Sequence, residues 1–71
     1  MKKKLFIEGM SCQNCVMHVT NALKELEGVE SVEVNLEGKY SVIDLSKDVD
    51  ETTLNEVIDD VGYDLVKVES L

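Results

Sequence analysis

Cys12 and Cys15 are the only two cysteines of the chain, and they lie in Gly-Met-Ser-Cys-Gln-Asn-Cys, where an apolar alternation gives way to a helical pattern. Two sulfurs on one short turn can act as a redox pair or, as thiolates, hold a soft metal ion. Ligand count narrows the second choice. Structural zinc wants four protein ligands and catalytic zinc usually three, whereas the pair has only His18 nearby, one helical turn after Cys15. Two thiolates alone suit a closed-shell ion in near-linear geometry, such as Cu(I) or Hg(II). Bound Cu(I) leaves the pair at about −1, which a helix N-terminus accommodates.

Residues 9 to 23 contain no Asp, Glu, Lys or Arg, although charged residues make up 31% of the chain. Oxygen ligands that would favour harder ions are missing from this collar, and a partner's thiolates can approach without a like charge beside the metal. Chance and an apolar helix face are the plainer explanation of the same stretch. The unpaired N–H groups and the dipole of a helix start stabilise thiolate, so one or both thiols are expected below the ordinary cysteine pKa.

The elements that position the pair follow from periodicity. Lys3 to Gly9 alternates, with Leu5 and Ile7 on one face and Lys4, Phe6 and Glu8 on the other, Phe6 being the exception on the outer side. From Asn14 to Glu27 the positions Val16, Val19, Leu23 and Leu26 form a helical stripe that predicts a stop at Gly28. Val29 to Leu36 alternates again through Val32 and Val34, Glu37-Gly38 signals a turn, and Tyr40 to Leu45 returns with Ser41, Ile43 and Leu45 inward. Asp50 is placed as N-cap of a second stripe, Leu54, Val57, Ile58 and Val61, that stops at Gly62; Leu65 to Glu69 is a last strand with Val66 and Val68 inward. The order βαββαβ predicts an α+β, ferredoxin-like fold: a four-stranded antiparallel sheet with both helices on one face.

Composition excludes several functions. With 71 residues the chain has room for one domain, residues 1–71, and one modest core, too little for a large catalytic cleft. Fifteen acidic residues against seven basic ones give a net charge of −8, which repels nucleic acid and anionic lipid. Lys2, Lys3 and Lys4 resemble the start of a signal peptide, but the apolar stretch behind them is only Leu5 to Ile7. A cytoplasmic chain with reduced thiols, not inserted in a membrane, is the expectation.

The segments GMSCQNC, VMHVTNAL and VGYD resemble the heavy-metal-associated domain family, in particular its small bacterial copper chaperones, and the likeness covers the whole chain. The resemblance implies a non-enzymatic carrier that binds Cu(I) through Cys12 and Cys15 and hands it to a copper-transporting P-type ATPase or its metal-binding domain. It implies a monomer when empty, with a copper-bridged homodimer as an alternative loaded form. Met10 is then expected to pack under the loop rather than ligate. Ser11 points to monovalent copper, since relatives that prefer zinc or cadmium often carry Asp there. Tyr63 is expected beside the first loop, where packing is its plain role and shielding the thiolates is what the resemblance adds. His18 is a candidate auxiliary ligand or an exposed imidazole; relatives often place a histidine inside the CxxC, where this chain has Gln13 and Asn14. Asp59, Asp60 and Asp64 form either a docking surface for a basic partner or solvated helix charge.

Other functions stay in view. A thiol-disulfide oxidoreductase also uses CxxC near βαβ, but the chain is short for that fold, lacks an aromatic-rich active site and has no proline to set opposite the disulfide. A metal-binding or sensing domain of a larger heavy-metal transporter, or a mercury-binding protein, would use the same two sulfurs.

Overall fold

A computed structural model describes Met1–Leu71 and gives six elements: β1 (Lys2–Glu8), α1 (Gln13–Lys24), β2 (Val29–Asn35), β3 (Tyr40–Leu45), α2 (Glu51–Asp60) and β4 (Asp64–Ser70). The strands form one sheet in the order β2-β3-β1-β4, with every neighbouring pair antiparallel. This is the expected ferredoxin-like arrangement. The core lies between the sheet and the helices, where Leu5, Ile7 and Ile43 meet Val19, Leu23, Leu54 and Ile58.

β3 has the register its polarity predicts. Ser41, Ile43 and Leu45 are buried and Asp44 is not, because the opposite phase would bury a carboxylate. Ser41 carries a polar atom into that row at little cost, since its hydroxyl donates to the Glu33 carbonyl at 3.0 Å.

Two readings are corrected, and one buried charge is added to them. α1 ends at Lys24 with Glu25 as its C-cap, not at Gly28. Two tight turns replace the last helical turn, Leu26 N–H donating to Leu23 O and Val29 N–H to Leu26 O, and Gly28 becomes part of the turn into β2. Val66 points outward and is 61% exposed, while Leu65 and Val68 pack on the core. A bulge is the cause: Phe6 pairs with Lys67 but Ile7 pairs with Leu65, so Val66 is the extra residue and the alternation breaks there. Lys3, finally, shares the inward row with Leu5 and Ile7 and is only 8% exposed. Its ammonium is satisfied by the Val49 carbonyl at 2.8 Å and Asp48 Oδ1 at 3.0 Å, and it pins the start of the α2 crossover to β1.

α2 is bounded as its sequence predicts. The Asp50 carboxylate accepts from Thr53 N–H at 2.8 Å. At the other end Gly62 N–H donates to Asp59 O and Tyr63 N–H to Ile58 O, the paired bonds of a Schellman stop, with Gly62 at φ +92°. Nothing lies within 4 Å of where a Gly62 side chain would stand. Gly62→Ala is therefore expected to cost about 1 kcal/mol from the left-handed backbone alone. Gly62→Asn should recover part of the loss in the same urea titration.

Candidate metal centre

β1 delivers the chain to one end of the sheet, and Gly9 turns it toward α1 with φ +103°. A Cβ at Gly9 would stand 3.2 Å from Tyr63 Cδ1, so backbone conformation and close approach both call for glycine there. Met10 then drops into the core at 7% exposure. This anchors the loop from below and leaves Ser11 and Cys12 at the surface.

Cys12 is the N-cap residue of α1, extended at φ −157° and ψ 173°, and its side chain makes no capping bond. Its carbonyl accepts from Cys15 N–H and Val16 N–H. Cys15, in the first helical turn, is half-buried and packs against the core cluster, whereas Cys12 is exposed. The sulfurs are 3.6 Å apart and both are free thiols. That spacing is too long for a disulfide of about 2.05 Å. It does match two bonds of about 2.3 Å to one ion, and the exposed Cys12 thiol can swing to widen the angle toward linear.

The donors around Cys15 explain its acidity. The Ser11 backbone N–H contributes most, followed by the Tyr63 hydroxyl, against partial burial, with the Cys12 thiol and backbone N–H adding to the same side; together they bring the Cys15 thiol down from 9.0 to about 6. Ser11 Oγ also lies 3.9 Å from Cys15 Sγ. Tyr63 responds reciprocally: its hydroxyl is pushed up first by the bond to Cys15 and then by burial. The sequence placed Tyr63 beside the loop, and the structure puts it there. The backbone donor Ser11, by contrast, carries no signal in residue type.

The His18 side chain is exposed on α1. No group of three or more His, Cys, Asp and Glu side chains is placed to hold one ion. Around the loop the uncharged stretch survives on the open face of α1, through Gln13, Asn14, Met17 and Asn21. It is interrupted in space, because Glu8 and Asp64 are cross-strand partners immediately beside the Gly9 and Tyr63 contact.

A thiol held near 6 gives the metal-free protein a pH dependence. The folded pKa lies below the unfolded one, so Cys15 contributes stability that is full above about pH 8.5 and disappears as pH falls through about 6. Alkylation of Cys15 in a Cys12→Ser background should have its midpoint near pH 6, displaced slightly upward by loss of the Cys12 thiol. Tyr63→Phe should move that midpoint upward by removing one donor. An unchanged midpoint would assign the shift to the Ser11 backbone alone.

Residues 4–64 match the Heavy-metal-associated domain. The chain is 46% identical over 70 residues to the copper chaperone CopZ of Bacillus subtilis (strain 168), an alignment that covers 93% of this chain and 97% of that protein. It is 39% identical over 67 residues to a probable copper-exporting P-type ATPase of Archaeoglobus fulgidus, covering 93% of this chain and 8% of the ATPase. Among solved structures, a CopZ metallochaperone superimposes with a TM-score of 0.86 at 36% identity, over 93% of this chain and all of that one. No helix is long and apolar enough to cross a membrane.

Proposed function

The chain belongs to the heavy-metal-associated domain family, and from that premise we propose that it is a cytoplasmic copper chaperone, a carrier rather than an enzyme, whose cargo is Cu(I) held by Cys12 and Cys15. The observation that carries this reading is the donor set. Two sulfurs stand 3.6 Å apart at a helix start, one of them acidic enough to be thiolate at neutral pH, and no third ligating side chain joins them. Zinc would lack half of its usual shell, while a soft, low-coordinate ion is satisfied.

The acceptor is the metal-binding part of a copper-transporting ATPase, and the likeness of this chain to a short stretch of such an ATPase supports that partner. Delivery is ligand exchange. An acceptor thiolate adds to two-coordinate Cu(I), a three-coordinate ion bridges the proteins, and Cys12 or Cys15 departs; a second acceptor thiolate then binds and the remaining chaperone cysteine leaves. Oxidation states do not change. Half-burial of Cys15 and exposure of Cys12 leave one side of the pair open to the incoming sulfur, and Tyr63 lies against the loop on the other.

Anaerobic competition among Cu(I), Hg(II) and Zn(II) for the reduced chain, read by thiolate absorbance and native mass, tests the assignment. The expected product holds one Cu(I) per chain with both thiols protected. Hg(II) shares the two-sulfur preference and should also bind. Preferential uptake of zinc, with several chains sharing one ion, would overturn the copper reading.

A further inference from the structure

β4 is an edge strand, with β1 on one side and no strand on the other. Leu71 N–H donates to Lys2 O at 2.9 Å, and Lys4, Leu5 and Phe6 stand opposite Glu69, Val68 and Lys67. In an antiparallel pair every second residue bonds its neighbour, so Lys67 and Glu69 turn their N–H and C=O groups to β1, while Val68 and Ser70 turn theirs to the open edge. Alongside runs a groove of about 130 Å³ between β4 and α2. Leu65, Val66, Lys67 and Val68 form one wall, and Glu51 and Asn55 form the other.

The α2 wall is acidic. Glu51, Asn55 and Asp59 are exposed at four-residue steps, one row along the helix, and none of the four ion pairs of the chain involves them. Lys67, the one cation of the groove, is already held by Glu69 at 3.1 Å. Glu51 and Asp59 are about 12 Å apart along a helix that rises ~1.5 Å per residue. A strand gains about 3.3 Å per residue, so its positions i and i+4 share a face and lie ~13 Å apart. The two spacings match.

We propose that this edge is the docking site of an extended basic segment of a partner protein, which adds to β4 as an antiparallel fifth strand. The segment turns Arg or Lys at i and i+4, with an aliphatic residue at i+2, toward α2. Residue i lies opposite Ser70 and i+2 opposite Val68, whose edge N–H and C=O groups hold its backbone. The aliphatic side chain rests in the groove beside Val68 and Asn55, and the two basic heads reach Glu51 and Asp59. The bulge at Val66 ends regular pairing, so the docked strand is short and the contact weak. Charge and sequence select the occupant. A net charge of −8 repels an acidic segment. A second copy of the chain lacks the pattern, because no two of its seven lysines stand four positions apart and it has no arginine. Cys12, Cys15 and Tyr63 do not line the groove, so docking leaves the sulfurs open whatever ion they carry.

Titration of the reduced chain with a capped TRTVTRT peptide to ~1 mM, enough to populate a weak site, reads this by heteronuclear NMR. Shifts should centre on Glu51, Asn55 and Val68, the amides of Val68 and Ser70 should exchange more slowly, and the signals of Cys12 and Cys15 should stay in place. The peptide TTRVRTT sets its arginines beside the valine and so on the opposite face; it and the acidic TETVTET should each bind about tenfold more weakly. Ser70→Pro removes an N–H that β1 does not use, and should weaken binding about tenfold with the fold intact by circular dichroism. Glu51→Gln should weaken it about threefold. Equal binding of the three peptides overturns the proposal, as does undiminished binding by both variants. So does a two-chain mass in sedimentation equilibrium without peptide that Ser70→Pro abolishes, which would give the edge to a second copy.

Discussion

Cys12→Ser is expected to abolish Cu(I) retention and transfer while making the fold more stable. The two effects separate because Cys12 occupies two positions at once, a sulfur beside Cys15 at 3.6 Å and the N-cap of α1. As a cap it is poor, since its side chain accepts no bond from the first turn. Serine there is among the preferred caps and should add about 1 kcal/mol to folding. As a ligand, serine replaces a soft thiolate by a hard, protonated hydroxyl. The lone Cys15 then loses the chelate partner whose local concentration exceeds the millimolar range, and affinity should fall about a thousandfold or more. Cys15→Ser should lose the metal equally without the gain in stability, because residue 15 is not the cap. Copper competition against a chelator, set beside urea unfolding of the same variants, reads both quantities. Transfer that survives either substitution would remove the paired thiolates from the mechanism.

A cysteine where helix physics prefers serine is the kind of local conflict that marks a functional residue, since sites keep residues that stability alone would not choose. Periodicity placed both thiols at the start of the helix, but not Cys12 at the cap itself, because the stripe is read from Asn14 and α1 begins at Gln13. The adjacency of Tyr63 to the loop was legible. It follows from topology, as β1 and β4 are neighbours and their site-end turns must meet. The Ser11 N–H that contributes most to the acidity of Cys15 was not legible, because every residue has that group and only the loop path aims it.

The fold shows the same division. Asp44 fixed the phase of β3, since one wrong register would bury a charge. Val66 looked inward by the same alternation, but a bulge arises from how two strands are paired, Phe6 with Lys67 and Ile7 with Leu65, and neither strand alone carries it. For Lys3 period and residue type disagreed. Period won, because a carbonyl and a carboxylate from the loop before α2 receive the ammonium, partners more than forty residues away along the chain. The premature end of α1 belongs here too: the stripe through Leu26 continues in position, but Leu26 reaches the core from a tight turn instead of a helix.

Leu23→Ala should produce the largest loss of stability, about 3 kcal/mol within the 2–5 kcal/mol range of buried leucine truncations. Leu23 is fully buried and lies in the last turn of the helix whose first turn holds the cysteines. Its neighbours cannot close the gap cheaply, because Leu5, Ile7, Ile43 and Ile58 are themselves held on strands and a helix with 0 to 1% exposure. For a chain of this size each kcal/mol moves Tm by roughly 4–8 °C, so a fall of about 12–24 °C is expected in a thermal scan. Cu(I) affinity of the folded fraction should hardly change, since Gly9, Met10 and Tyr63 still fix the loop. Loading with Cu(I) should raise the variant's Tm, but by less than folded-state affinity alone implies, because two cysteines three positions apart retain some grip on the ion in the unfolded chain. A variant that loses stability and metal affinity together would mean that the far end of α1 sets the site, and that Met10 and Tyr63 are not sufficient to hold it.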